Sequence, residues 1–221
     1  SVMIDGVAST AALAGTIAAT RLSANTESGF SIVIYDGTGV NATVAHGLSK
    51  KPELVIAKPK TNSTDAWRVG SDMLASWVKE LRLNTNAGET DRAAVFNSLA
   101  PTASVINLGT DGANNGPPAT FIAYSFHSVE GYSKIGSYTG NGSDDGTFIC
   151  TGFTPAFFMC KWLSTGEEWV MKDNKRPAYN VEDKTLVANT NAAEVSSYME
   201  LDFVSNGIKW RSYGDGGNYG S

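Results

Sequence analysis

One pattern occurs twice in this chain, and it limits the fold more than any other feature. The stretch 29–58 (GFSIVIYDGTGVNATVAHGLSKKPELVIAK) returns over 131–162 as GYSKIGSYTGNGSDDGTFICTGFTPAFFMCKW. Tyr35 is followed by Gly37, Gly39, Pro52 and Lys58, and Tyr138 is followed at the same offsets by Gly140, Gly142, Pro155 and Lys161. A second signature trails each copy, LRLNTNAGE from Leu81 and LVANTNAAE from Leu186. The tyrosines lie 103 residues apart and the leading asparagines, Asn84 and Asn189, lie 105 apart. A period this long is a domain, because solenoid units recur about every 20 to 50 residues. Each copy reads as strand, glycine turn, short strand, proline-started bend and apolar strand. The expectation is an all-β chain of two tandem antiparallel β-sandwich domains, jelly-roll-like and related by the internal repeat. They occupy 29–128 and 129–221, with 1–28 as a linker or docking segment.

The first domain is expected to hold strands near 30–35, 42–45, 53–58, 66–69, 80–83, 105–108 and 120–126. The second is expected to hold them near 134–138, 147–150, 156–162, 168–172, 185–188, 199–203 and 208–211. One segment looks helical: in 71–79 (SDMLASWVK), Leu74, Trp77 and Val78 share a helical face. The Gly-, Asn- and Pro-rich loop 109–118 is expected to lack regular structure and to be exposed. Asn206 and Gly207 between apolar runs signal a hairpin whose type I′ turn needs positive φ at both. No counterpart of 120–126 follows the second copy. Either the sequence stops before its last strand or a neighbour supplies it, because an unpaired edge invites pairing.

Charged residues make up only 18% of the chain and the net charge is −5. With no run of Lys or Arg there is no electrostatic footprint for nucleic acid or an anionic membrane. No apolar stretch approaches the roughly 20 residues of a membrane span, and residues 1–5 lack the basic start of a signal peptide. The chain reads as an excerpt of a longer protein. Cys150 and Cys160 are the only cysteines. They fall on successive expected strands that could be sheet neighbours, and are read as half-buried free thiols rather than a disulfide.

Catalytic signals are absent. His46 and His127 are the only histidines, the second copy has none, and no nucleophile motif occurs. The chain is therefore expected not to be an enzyme and to carry no cofactor. Asp144, Asp145 and Asp215 sit in Gly-rich turns that lack the spacing of a calcium loop, so no metal site is assigned. Aromatics are the better lead. Trp67 and Trp169 recur at matching places, which suits core packing, and Trp77 belongs to the helical-looking segment. Trp210, Tyr213 and Trp162 are the candidate ligand-binding residues, with packing of Trp210 and Trp162 inside a sandwich as the alternative.

The chain resembles a β-rich domain of unknown function found in tail-fibre and other virion-surface proteins of tailed phages, particularly marine phages and cyanophages. The resemblance rests on GFSIVIYDGTG with HGL and PELVI, on SYTGNGSDDGTFICTGFTPAFFMCKW, and on EEWVMKDNKRPAYN, LVANTNAAE and DFVSNGIKWR. It runs from about Gly29 to the end, and departs where the closing strand is missing. It implies a structural or receptor-binding role on the virion surface, outside any membrane, and brings no catalytic residues. The function expected from it is a phage tail fibre protein that contributes to host attachment by binding. The expected partners are other virion proteins, a homotrimer, and a host-surface glycan or receptor. The alternatives are a carbohydrate-binding module and a purely architectural capsid or tail protein.

Overall fold

The computed structural model describes the chain except Ala11, Asn62, Ser63, Thr165, Ala178, 214–216 and Ser221. The fold is all-β with several sheets. It divides into two compact units, Ser1–Arg82 with Glu89–Val129, and Leu83–Gly88 with Glu130–Ser221.

Unit 1 holds β1 (Val2–Ile4), β2 (Val7–Ala8), β3 (Arg21–Asn25), β4 (Phe30–Asp36), β5 (Ala42–Ala45), β6 (Leu54–Pro59), β7 (Arg68–Ser71), β8 (Lys79–Arg82), β9 (Thr90–Asp91), β10 (Val105–Leu108) and β11 (Thr120–Phe126). Two short helices, α1 (Ala93–Phe96) and α2 (Gly112–Asn115), flank β10. Nine strands form one mixed sheet in the order β2-β1-β3-β4-β11-β6-β7-β8-β9, while β5 and β10 pair antiparallel. Alternation of side chains across a strand decides which face is buried. In β4, Ser31, Val33 and Tyr35 point inward, and in β11 Phe121, Ala123 and Ser125 do so. The core gathers Val33, Tyr35, Val55 and Phe121 from the large sheet, Val44, Ile106 and Leu108 from the β5–β10 pair, and Trp77 and Phe96.

The centre of this sheet is β11. All seven of its residues pair with β4, and six of them pair with β6. Phe121 stacks on Tyr35 at 5.6 Å and Phe126 on Phe30 at 4.8 Å. Near one flank lies a buried ion network. Arg68 Nη1 meets both Glu80 oxygens at 2.7 and 3.0 Å, its Nη2 reaches Asp111, and Arg92 Nε donates to Asp111 at 2.8 Å.

Three expectations for unit 1 are corrected. Residues 1–28, expected as a linker or docking segment, are not a linker but dock on the sheet by supplying β1, β2 and β3. Leu22 and Ala24 of β3 alternate into the core, in a strand whose small residues hide the pattern. No helix forms over 71–79. There Ser71 starts a turn by accepting from Met73 N–H, and Trp77 Nε1 donates to Asp72, which buries Leu74 and Trp77 without a helical ladder. The loop 109–118 contains α2 and is largely buried at Asp111, Ala113, Asn114 and Asn115. Asp111 caps the helix by accepting from Ala113 N–H.

Unit 2 holds β12 (Phe148–Cys150), β13 (Phe157–Cys160), β14 (Val170–Asp173), β15 (Leu186–Val187), β16 (Leu201–Val204) and β17 (Gly207–Trp210). They form two three-stranded sheets, β12-β17-β16 and β13-β14-β15. The core packs Cys160, Val170, Leu201, Phe203, Ile208 and Trp210 from both sheets. The expected strand over 134–138 does not form. The hairpin β16–β17 does form, but its loop residues are 205 and 206, and neither Asn206 nor Gly207 takes a positive φ. Gly207 is instead inside the ladder, paired with both Val204 and Cys150. Cys150 is exposed and Cys160 buried, both are free, and they lie in different sheets. Burial pushes the Cys160 thiol up to about 12.

Removing Arg68 leaves Glu80 and Asp111 buried without their common cation. Arg68→Ala is expected to cost about 3–5 kcal/mol at neutral pH, measured by urea unfolding. The same network sets the acid limb. Burial alone would raise the Asp111 carboxyl, but Ala113 N–H, Arg92 and Arg68 outweigh it and hold it below its ordinary value. A folded value below the unfolded one stabilises above about pH 4, and the gain disappears as pH falls through the lowered value. Asp111→Asn should therefore flatten the loss of stability below about pH 4.

Candidate functional site

The local frame of the site is an asparagine. Asn218 is fully buried and uses all four of its side-chain hydrogen-bonding positions. Its Oδ1 accepts from the N–H groups of Asn141 and Thr147, and its Nδ2 donates to the carbonyls of Ser143 and Ser212. Gly142 N–H returns a bond to the Asn218 carbonyl, and Tyr138 Oη donates to that of Gly217. The close approach explains a glycine of the turn, because a Cβ on Gly140 would lie 2.6 Å from the Asn218 carbonyl carbon.

The same arrangement occurs in unit 1. Asn115 Oδ1 accepts from Thr38 N–H, and its Nδ2 donates to the carbonyls of Val40 and Gly109. Gly39 N–H bonds to the Asn115 carbonyl and Tyr35 Oη to that of Asn114. The two sets of partners stand 103 residues apart, Tyr35 against Tyr138 and Asn115 against Asn218. After the asparagine they differ, with Gly116 in the first and Tyr219 in the second.

Tyr219 is the middle of an exposed row. Its ring lies 5.0 Å from that of Trp162 at 30° and 6.3 Å from that of Tyr213 at 36°. Tyr213 is 62% and Tyr219 45% exposed, and Trp162 is half-buried. Asn218 steadies the row twice, through its neighbour Tyr219 and through the Ser212 carbonyl beside Tyr213. Tyr213 N–H donates to Asp144 Oδ1 at 2.8 Å, and Lys161 Nζ donates to the Trp162 carbonyl at 2.7 Å. Burial lowers the Lys161 ammonium, with Glu167 and Glu168 opposing. Exposed, tilted ring faces with polar groups at their margins suit a ligand that has apolar C–H faces and hydroxyl edges.

Of the three aromatics expected to bind, Trp162 and Tyr213 come together here and Trp210 does not. Trp210 is fully buried, edge-on to Phe158 at 5.9 Å, and its ring presses so closely on Gly217 that a Cβ there would lie 2.4 Å away. Strand alternation in β17 sends it inward, where it floors the 217–218 turn. Tyr219 was missed by the sequence reading. The one available signal was an aromatic where the first copy has glycine. Among the recurring tryptophans, Trp169 is buried, while Trp67 is half-exposed under Lys58 Nζ at 4.4 Å.

The remaining candidates have structural partners. His46 is buried, with Nε2 against the Thr102 carbonyl and Nδ1 accepting from Leu48 N–H, and burial lowers it toward the neutral form. His127 is buried too. Asp145 pairs with Lys209 at 2.7 Å, which lowers its carboxyl, and Asp215 lies outside the described residues. Among the described residues no group of three or more His, Cys, Asp or Glu side chains converges.

Asn218→Ala leaves the buried N–H groups of Asn141 and Thr147 without their acceptor. We expect a loss of about 2–3 kcal/mol in urea unfolding of unit 2, together with weaker near-ultraviolet dichroism from the freed tyrosines. An unchanged midpoint would show that these bonds do not hold the row.

No curated protein matches the chain, and no solved structure does. Residues 4–220 match the family model described as "Domain of unknown function (DUF7483)", so the chain belongs to that family.

Proposed function

We propose that this chain is a non-catalytic attachment module of a virion appendage, a phage tail fibre, which contacts a host-surface glycan through Trp162, Tyr219 and Tyr213. The observation that carries the reading is the row of three tilted, solvent-facing rings braced by a buried asparagine. A rigid frame under exposed rings spares the ordering cost that loose side chains incur on binding. Each contact is weak, and a homotrimeric fibre with many copies per particle multiplies it through effective concentration. In this reading the two units are copies of one jelly-roll-like sandwich plan. The equal offsets of the Tyr35–Asn114–Asn115 and Tyr138–Gly217–Asn218 bonds support that. The second copy has taken on binding where Tyr219 replaces glycine.

A carbohydrate-binding module outside any virion is the second reading, favoured by the same row because sugars pack on exposed aromatic faces. Two measurements separate them. The first is pull-down on isolated bacterial envelopes with and without their polysaccharide, and the second is the solution mass by light scattering. A trimer that binds envelopes selectively supports the fibre. A monomer that binds purified polysaccharides alone supports the module, and no binding to either overturns both. Tyr213→Ala and Trp162→Ala should each weaken binding about tenfold with unfolding unchanged, the scale of an aromatic hot spot. Trp210→Ala should instead cost about 3–5 kcal/mol of stability, as for other buried tryptophans.

A further inference from the structure

Unit 2 carries a cavity of about 250 Å³ that the aromatic row does not use. Phe203 of β16, which is buried, and Tyr179, which is 87% exposed, give it apolar walls. Thr154 and Asn174 add exposed polar groups. Its buried polar group is Glu182, only 1% exposed.

The backbone fixes this residue in place. Glu182 N–H donates to the Leu201 carbonyl at 2.7 Å, and Leu201 N–H returns a bond to the Glu182 carbonyl at 3.2 Å. Two residues earlier, the Asn180 amide accepts from Phe203 N–H at 3.1 Å and donates to the Phe203 carbonyl at 2.9 Å. The segment 180–182 thus lies along the edge of β16 like an added strand, part backbone and part side chain. Glu182 Oε1 accepts from Lys184 N–H at 3.0 Å, whereas Oε2 is buried and no described donor reaches it. A buried carboxylate oxygen without a donor is costly, and burial raises this carboxyl above its ordinary value.

Charge narrows the choice of donor. Lys172 is fully buried, and its Nζ donates to the carbonyls of Glu182 and Tyr198 at 3.4 and 3.0 Å. Its ammonium and the Glu182 carboxylate attract each other through space. Arg176 and Asp173, which also act on Glu182, pair with each other at 2.6 Å. An incoming cation would meet Lys172 and an incoming anion would meet Glu182, so the donor that fits is a neutral hydroxyl. Sites for drug-sized ligands span about 300–1,000 Å³, so this smaller space suits a single ring.

We propose that this cavity binds one neutral sugar ring, with a hydroxyl donating to Glu182 Oε2 and a C–H face packed against Tyr179 and Phe203. The site shares no residue with the row of Trp162, Tyr219 and Tyr213, so it stands or falls separately from the glycan contact assigned to that row.

The test uses the full chain with glucose, galactose, mannose and N-acetylglucosamine, and with glucosamine and glucuronate as charged counterparts. Binding is read by saturation-transfer NMR and calorimetry, and its place by hydrogen exchange. The expected result is saturable binding of at least one neutral sugar, in the millimolar range of so small a ligand, with slower exchange of the amides over 180–184. Glu182→Gln should weaken that binding at least tenfold, and Tyr179→Ala at least threefold. Unfolding midpoints check both variants. Because Tyr179 is exposed, its variant keeps the test decisive if Glu182→Gln does not fold. Binding of none of the neutral sugars overturns the proposal, as does binding that either folded variant leaves unchanged. Tighter binding of glucosamine or glucuronate than of every neutral sugar overturns it as well.

Discussion

The backbone bonds that β11 makes on both edges organise unit 1. β11 reaches back across more than 80 residues to β4 while also pairing with β6, and its inward Phe121 seals Tyr35. A central strand satisfies its N–H and C=O groups on both sides, which an edge strand cannot do. With that strand in place the sheet runs unbroken from β2 to β9, and even the Ala-rich start of the chain is drawn into it. Among the described residues of unit 2, β13, β14 and β15 pair in the order of β6, β7 and β8. Its two three-stranded sheets are joined by a core around Trp210 instead, and the segment equivalent to β4 carries no ladder.

A buried asparagine anchors a turn in both units. Asn115 and Asn218 each bind a turn that contains two glycines and a loop near the end of the unit, and with Thr38 Oγ1 also donating to Asn115 Oδ1 every polar position on both amides is engaged. Buried amides are costly unless they are fully paired, so such an anchor admits little variation around it. The same constraint turns one local difference into a surface feature. Where unit 1 follows the asparagine with Gly116, unit 2 presents Tyr219 between Trp162 and Tyr213.

Several titratable groups are buried and serve the interior. The Arg68, Glu80, Arg92 and Asp111 network, buried His46, and buried Lys172 are held by partners within their own unit. Burial brings the Lys172 ammonium down to about 8 although Glu182 and Asp183 oppose it, and its Nζ donates to the Tyr198 carbonyl at 3.0 Å. The exposed aromatics thus form the feature of unit 2 whose packing is least explained by stability.

The sequence by itself determined what depends on local pattern and spacing. Alternation marked β4, β5, β10 and β11 nearly to the residue, and the recurring Tyr-x-Gly-x-Gly offsets marked two equivalent turns. It also singled out Trp162 and Tyr213. Only the tertiary structure decided the rest. Helical spacing at Leu74 and Trp77 was overridden because both side chains reach the core from a turn, and the Gly-Asn loop at 109–118 became a buried helix because Asp111 and Asn115 are satisfied there. The segment 134–138 has strand-like residues but no described strand beside it, and a strand is stable only when another backbone completes its bonds. Trp210 turned inward because the pleat of β17 set its direction, and Tyr219 faces solvent beside Asn218, whose side chain is anchored to Asn141, Ser143 and Thr147, groups far away in sequence.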